Sequence, residues 1–435
     1  RPGHFMQHPN LASPLKLRDE TLRNRIVFGA HTANMSDQGL PGKRFGKYLL
    51  ERALGGAAMI VAEPVPVHRT GVLTRGNFLH SDDVVIPAFR SVTDEVRGAG
   101  AVILQQLYHI GAHGDADLSF APHWSPSGGP SYHDSDGSHA MTETEIEELL
   151  AAHVAAAVRS KAAGFQGVEV WAAYHSLLDQ FWTPWSNRRE DLWGGSLENR
   201  TRFSRTLIER IRRACGERFI IGLAISHSTA YEVTLQAEAL CEIVDLHDRT
   251  GHVDYVTVGA GSYLEFEAII PPFTHAEKLT TPLTAQLKSL LKHAVVTSEA
   301  GVRTPENGEA IIASGLADLV SIVRGQIADP HLARKVVEGR SQDVRGCISC
   351  NQMCWGRRSR DYWISCLINP SAGTGSWLRP PRRKCWWSGP VLPGSRQHAS
   401  LPNGGTGWRS SRPRHGSADS SVWRACNPGA GRSSN

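Results

Sequence analysis

The chain has 435 residues, 40% of them hydrophobic, enough for one large domain of about 250–350 residues with an appendage. A formal net charge of only +5 does not point to a nucleic-acid partner. No run of about 18 apolar residues and no apolar leader is present, so no membrane span or export is expected, and the expected location is cytoplasmic.

Arg1 opens the chain; Met6 is taken as the natural start and residues 1–5 as uninformative. Short apolar runs then alternate with helical patterns. In chain order the strand candidates are Arg25–Gly29, Ala57–Ala62, Ala101–Gln106, Gly167–Trp171, Phe219–Ile225, Tyr255–Val258, Val295–Ser298 and Leu319–Val323. Between the third and fourth, residues 142–163 read as an amphipathic helix. It opens on the capping-box pattern Thr142-x-x-Glu145 and stops at Gly164. Eight strands alternating with helices predict a (β/α)8 TIM barrel over 8–345, with a doubly wound sheet as the alternative. In a barrel the chemistry belongs at the C-terminal ends of the strands, and the unusual residues here follow the strands.

Eight cysteines are unevenly spread. Cys215 and Cys241 sit in apolar, helix-like surroundings and read as core thiols. Cys347, Cys350, Cys354 and Cys366 form a C-x2-C-x3-C-x11-C cluster within segment 346–373. Without an export signal, such a cluster reads as metal ligation before disulfides. Zinc sites usually pair two C-x-x-C knuckles, whereas three close cysteines and a later fourth suit the corners of a 4Fe-4S cube. Zinc remains the alternative at this point. The neighbouring Arg345, Arg357 and Arg358 would offset a cluster's negative charge.

With its motifs HPNLASPLKLRDETLRNRIVFGA (8–30), LQQLYHIG (104–111) and DQFWTPWSNRREDLWGGSLENRTRF (179–203), followed by the cysteine segment, the chain resembles the Old Yellow Enzyme superfamily. The likeness is to its iron–sulfur branch, which includes trimethylamine dehydrogenase and 2,4-dienoyl-CoA reductase, and covers about residues 8–373. The resemblance implies an FMN- and 4Fe-4S-dependent oxidoreductase acting on a small-molecule substrate, with an electron-transfer partner and a homo-oligomeric state expected. It implies that Ala30, His31 and Thr32 lay backbone against the flavin. Thr32 stands where trimethylamine dehydrogenase has a flavin-linked cysteine, so the FMN is expected to be non-covalent. It implies that Gln106 pairs with the pyrimidine edge of the flavin, an edge that needs both a donor and an acceptor. Gly301, Arg303, Arg324 and Gly325 are implied to hold the phosphate, with surface ion pairs as the alternative for the two arginines.

Two departures bear on function. Relatives carry an arginine near flavin N1 and O2 in V-G-x-R-I-S, but this chain reads IIGLAIS and places Ala224 there. His227 and Lys292 are the candidate replacement cations. Enone-reducing relatives carry a polar H-x-x-H or H-x-x-N pair, and this chain has Trp171 and Tyr174 in GVEVWAAYHSLLDQF. Ser176 stands where dienoyl-CoA reductase has a tyrosine acid. Aromatic faces attract methylated ammonium groups. The expected reaction is therefore oxidative N-demethylation of a small methylated amine or betaine. His175 is a candidate acid or base, and Tyr263, Glu265, Phe266 and Glu267 would add rings and negative charge. The plain alternatives are that Trp171 and Tyr174 only pack the barrel mouth and that His175 is structural. NAD(P)H-dependent reduction of an activated alkene is the competing redox reaction. A non-redox zinc-bearing or inactive barrel is the competing class.

Residues 374–435 carry nine arginines, one lysine and the single acid Asp419, and sustain no helical or strand period. Such a stretch reads as disordered. Lys384-Cys385-Trp386-Trp387 forces a run of codons that, read one frame away, permits VLVVGAGPAGLEAAR, a strand and a dinucleotide fingerprint. The tail is therefore expected to be the frameshifted remnant of a Rossmann domain. That domain would bind FAD or NAD(P)H in full-length relatives.

Overall fold

A computed structural model of the protein describes residues 7–74, 77–79, 82–114, 122–132, 137–229 and 233–373. The tail 374–435, and with it the frameshift reading, lies outside the described residues. The eight apolar runs become eight strands: β1 Ile26–Phe28, β2 Met59–Pro66, β3 Val102–Tyr108, β4 Gly167–Ala172, β5 Ile220–His227, β6 Tyr255–Ala260, β7 Val295–Ser298 and β8 Leu319–Ser321. Each pairs in parallel with the next, and β8 pairs with β1, so the sheet closes as a (β/α)8 barrel. Both faces of such a strand are covered, by interior side chains and by outer helices, and this is why the strands read as continuous apolar runs.

Most strand ends shift by one to four residues from the sequence expectation, and two of these shifts have local reasons. β2 runs on to Pro66 through a register shift between Ala62 and Val65, where Pro64 cannot donate to the ladder and the strand bulges. Val323 leaves the eighth strand and opens the helix Val323–Ala328. The long helix between β3 and β4 forms over Glu143–Ala162. Its capping box closes with Thr142 N donating to Glu145 Oε2 (2.7 Å) and Glu145 N donating to Thr142 Oγ1 (3.3 Å), satisfying two N-terminal donors. It ends at Gly164, whose φ of +88° a side chain would strain.

The N-terminal end of the barrel is plugged. The hairpin Leu15–Leu17 and Glu20–Leu22 buries Leu17 and Leu22 against Leu104, Ile220, Tyr255 and Leu319. Arg18, at its turn, pairs with Asp254 just before β6. One end being closed, the opening lies at the C-terminal ends. Among the described residues no helix is long and apolar enough to cross a membrane.

Inside the barrel the filling is tight. Gly222 of β5 lies opposite Tyr255 of β6, and a Cβ at Gly222 would stand 2.2 Å from Tyr255 Cζ. The phenol ring thus occupies the space of the missing side chain. Gly222→Ala is expected to overpack this layer and lower stability by about 1–3 kcal/mol. Thermal unfolding should show a reduced midpoint, and an unchanged one would mean the interior has slack at Tyr255.

Candidate functional site

A cavity of about 240 Å3 opens at the C-terminal mouth. It is lined from β1 by Gly29, Ala30, His31 and Thr32, from β3 by Gln106 and Tyr108, from β4 by Trp171 and Tyr174, and from β5 by Ala224. β6, β7 and β8 contribute Thr257, Glu299 and Ser321, with Gly301 and Arg324 behind them. Residues spread over three hundred positions thus meet because parallel closure sends every strand end to one rim.

Trp171 and Tyr174 both face this cavity, with Tyr108 and Tyr263 beside them. Trp171 meets Tyr108, Tyr174 and Tyr263 edge-on, at centroid separations of 5.5, 5.9 and 6.4 Å. Tyr174 takes φ +63° and His175 φ +64°, a left-handed step that non-glycine residues adopt at a cost of about 1 kcal/mol or more each. Ser226 Oγ accepts from Tyr174 N (2.7 Å) and Asp179 Oδ2 from His175 N (2.9 Å), and these bonds hold the step. Its effect is to lay Tyr174 over Gly259, where a Cβ would meet the phenol oxygen at 2.9 Å. Burial raises the Tyr174 hydroxyl well above its usual range, so it remains a hydrogen-bond donor.

His175 departs from its expected place, because the left-handed step turns it away from the cavity. Its ring lies in a buried chain: Tyr132 N donates to His113 Nδ1 (3.3 Å), His113 Nε2 meets His175 Nδ1 (2.8 Å), and His175 Nε2 meets Ser186 Oγ (3.0 Å). Burial pushes its pKa down to about 4. A neutral histidine in a satisfied chain supports the wall and has no contact with the cavity.

The polar groups on the floor are carboxyls. Gln106 Nε2 donates to Glu169 Oε1 (2.7 Å), and Thr257 Oγ1 to Glu169 Oε2 (3.0 Å). Ser321 Oγ donates to Glu299 Oε2 (2.6 Å). Burial raises both acids, Glu299 to about 7, with repulsion from Glu169 adding to the shift. On the rim, His31 Nδ1 donates to Gly29 O (3.0 Å) while Tyr48 OH donates to His31 Nε2 (2.8 Å). Burial holds that imidazole neutral, at about 4.

The four phosphate candidates do not all converge. Gly301 lines the cavity at φ +81°, and a Cβ there would press on Lys278 N at 3.0 Å. Arg324 also lines it, half-buried, with Nη1 donating to Asn351 Oδ1 (2.7 Å). Arg303 is a correction: its Nε pairs with Glu277 Oε1 (2.7 Å), and the side chain is absent from the cavity wall. Gly325 stands one layer back in the helix Val323–Ala328, where a Cβ would meet Arg303 O at 3.0 Å, so it allows packing without lining the cavity.

Cys347, Cys350, Cys354 and Cys366 line one small second cavity with Ile327, Ile348, Met353 and Leu367. Arg324 borders both cavities, and its charge acts on Cys347, Cys354 and Cys350. Among the described residues no three His, Cys, Asp or Glu side chains converge as a single ion requires. The segment is tied to the barrel mouth by Ile364 N donating to Ala33 O (3.0 Å) and Asn351 Nδ2 donating to Ile270 O (2.7 Å).

Neither replacement cation named for the Ala224 position reaches the cavity. Lys292 precedes β7 at the closed end, its backbone N bonded to Asp248, and His227 leaves β5 toward Glu265 and Glu238. Tyr263 and Phe266 do line the cavity, but Glu265 accepts from Ser228 Oγ (2.6 Å) and Glu267 is exposed. The acids that line the cavity are Glu169 and Glu299 instead, and burial favours their neutral forms. Tyr108, Tyr132, Glu299, Trp355 and Arg358 line the cavity without having been singled out for it. Glu299 carried a usable signal, as a lone acid directly after an apolar strand run.

Residues 10–343 match the NADH:flavin oxidoreductase / NADH oxidase family. The chain belongs to that family. It is similar to the NADH oxidase of Thermoanaerobacter brockii, 34% identical over 375 residues that make up 85% of this chain and 57% of the relative. It is similar to the N,N-dimethylglycine/sarcosine dehydrogenase of Chromohalobacter salexigens, 29% identical over 82% of this chain and 52% of the relative. Among solved structures, 2-naphthoyl-CoA reductase in complex with 2-naphthoyl-CoA superposes with a TM-score of 0.80 at 28% identity, over 84% of this chain and 58% of that one. The chain spans about half the length of the curated relatives it matches. The Old Yellow Enzyme resemblance is thus borne out. The family is one of NADH:flavin oxidoreductases.

The buried acid beside Ser321 gives a pH test in this family member. Glu299 is raised from its ordinary 4.5 to about 7, so its neutral form contributes stability that is fully present below pH 4.5 and lost as pH rises through 7. Glu299→Gln keeps a neutral group at every pH. Wild type and variant are expected to unfold alike near pH 4.5, with wild type losing up to about 3 kcal/mol relative to the variant by pH 8. Parallel denaturant curves at the two pH values decide it, and a constant difference would mean that folding does not raise Glu299.

Proposed function

We propose that this chain holds FMN non-covalently at the barrel mouth and a 4Fe-4S cluster on Cys347, Cys350, Cys354 and Cys366, and oxidises a small N-methylated amine. When bound, FMN supplies two-electron oxidation of the substrate and the cluster single-electron transfer to a redox partner. The residues present fit the flavin. The Gln106 amide offers donor and acceptor atoms, Ala30, His31 and Thr32 give a wall, Gly301 allows close backbone approach, and Arg324 places a half-buried cation next to Gly301. The residues present also fit a cube better than zinc: four thiols share one apolar cavity without converging on a point, and a cube holds its thiolates farther apart than one tetrahedral ion does. The proposed role of Arg324, between the two cavities, is to offset negative charge on both sides.

The observation that carries the substrate reading is the ring cluster. Trp171, Tyr108, Tyr174 and Tyr263 line one cavity, and the electron-rich faces of such rings attract a methylated ammonium. Tyr174, held protonated, adds its ring to this wall and does not act as a base. The similarity to a dimethylglycine/sarcosine dehydrogenase supports this reading. A second reading, reduction of an activated alkene, is favoured by the likeness to 2-naphthoyl-CoA reductase. In it the Tyr174 hydroxyl would donate to a carbonyl oxygen.

Without oxygen, sarcosine or dimethylglycine is expected to bleach the flavin of the purified chain. If neither does, while chemically reduced enzyme turns over 2-cyclohexenone, the amine reading gives way to the alkene one. Trp171→Leu keeps bulk and removes the face, and should weaken a methylated cation by about 0.5–2 kcal/mol while changing a neutral isostere much less. For the cluster, Cys350→Ala should strip most iron and labile sulfide and leave the barrel folded by circular dichroism. Wild type purified without oxygen that contains zinc and no sulfide would refute the assignment.

A further inference from the structure

The cavity has a cationic wall that none of these roles employs. Arg358 ends the short helix Trp355–Arg358, four residues past Cys354, and lines the cavity together with Trp355. Its guanidinium lies 4.9 Å from the Trp355 ring centroid, and Trp355 packs on Phe266 with centroids 4.9 Å apart. The backbone is pinned as well, since Asn34 Nδ2 donates to Arg358 O (3.1 Å). The arginine is therefore held in place on the ring side of the site. Its charge favours the ionised forms of Tyr108, Tyr132 and Tyr263, three phenols that burial otherwise keeps neutral.

Among the described residues the Arg358 guanidinium forms no ion pair. The carboxyl it acts on is Glu63, buried below Asn34 and accepting from Asn34 N (3.2 Å). Burial raises Glu63 to about 8, so at neutral pH that group is mostly uncharged. Arg324, and not Arg358, lines the cysteine cavity, so that cavity does not claim Arg358 either. The half-buried guanidinium thus faces an aromatic-lined cavity with a ring beside it and no anion among the described residues. A carboxylate entering that cavity would supply one, in a fork geometry that matches two parallel N–H bonds.

We infer that Arg358 is the carboxylate-binding, specificity-determining residue of this cavity, and that the substrate is a small zwitterion with its methylated amine against Trp171 and Tyr174 and its carboxylate on Arg358. The ammonium half rests on the amine reading above. The carboxylate half does not, because an unsaturated acid would use the same arginine. Orientation follows from having two different ends: rings attract the cationic end and reject an anion, and the arginine does the reverse.

The test uses the full chain with its flavin, without oxygen, and two matched pairs of ligands. N,N-dimethylglycine is compared with its amide, and cinnamate with cinnamamide. Binding is read from the flavin spectrum and, independently, from tryptophan fluorescence, since Trp171 and Trp355 both line the cavity. In the pair that binds, wild type should prefer the carboxylate. Arg358→Gln should raise the Kd of the carboxylate at least tenfold and that of the amide less than twofold, with Arg358→Lys recovering part of the loss. Equal weakening of acid and amide, no preference for the acid in wild type, or no binding of either acid would overturn the inference. Selective binding of cinnamate that is lost in Arg358→Gln would uphold the arginine's role and remove the amine reading.

Discussion

Closure of the eight parallel strands is the constraint from which the rest of this molecule follows. A parallel sheet cannot leave a strand edge in water without exposing its donors and acceptors, and the pairing of β8 with β1 removes both edges at once. Closure also decides where chemistry can be placed. The N-terminal end is filled by Leu17, Leu22 and the interior side chains, so the space that remains lies at the C-terminal rim. Thr32, Gln106, Trp171, Glu299 and Arg324 meet there although nothing local in the chain connects them.

Desolvation then sorts the charges at that rim. Glu63, Glu169 and Glu299 are pushed toward their neutral forms, and the Tyr174 and Tyr263 phenols are pushed still further from ionisation. Arginine does not give up its proton in this pH range, so Arg324 and Arg358 are the charges that persist on the wall. One stands by the cysteine cavity and the other by the rings. Buried acids, rings and two cations thus share one cavity wall.

The left-handed step at Tyr174 and His175 shows how the fold balances precision against strain. Two side-chain acceptors, Ser226 Oγ and Asp179 Oδ2, hold a backbone conformation that neither residue favours by itself. In return Tyr174 packs against Gly259 and His175 joins the buried chain to His113 and Ser186. Such strain persists where the surroundings over-determine it, as they do at the wall of a binding cavity.

The sequence by itself determined the barrel, because apolar runs of strand length alternating with capped amphipathic helices have few other ways to bury both faces of each strand. It also determined which four cysteines belong together, since ligands crowded within twenty residues share a neighbourhood in any fold. Ring residues at Trp171 and Tyr174 were legible for the same reason: the end of a barrel strand has only one place to go. Tertiary structure alone decided which polar side chains face the cavity. His175 is adjacent to Tyr174 in sequence but turns away through a backbone step that no residue type announces. Arg303 finds Glu277, a partner twenty-six positions earlier, while Arg358 forms no ion pair among the described residues and lines the wall. Spacing along a chain constrains a strand end to within a residue or two. The direction of a long charged side chain depends on partners brought by other segments, and those partners exist only once the barrel has closed.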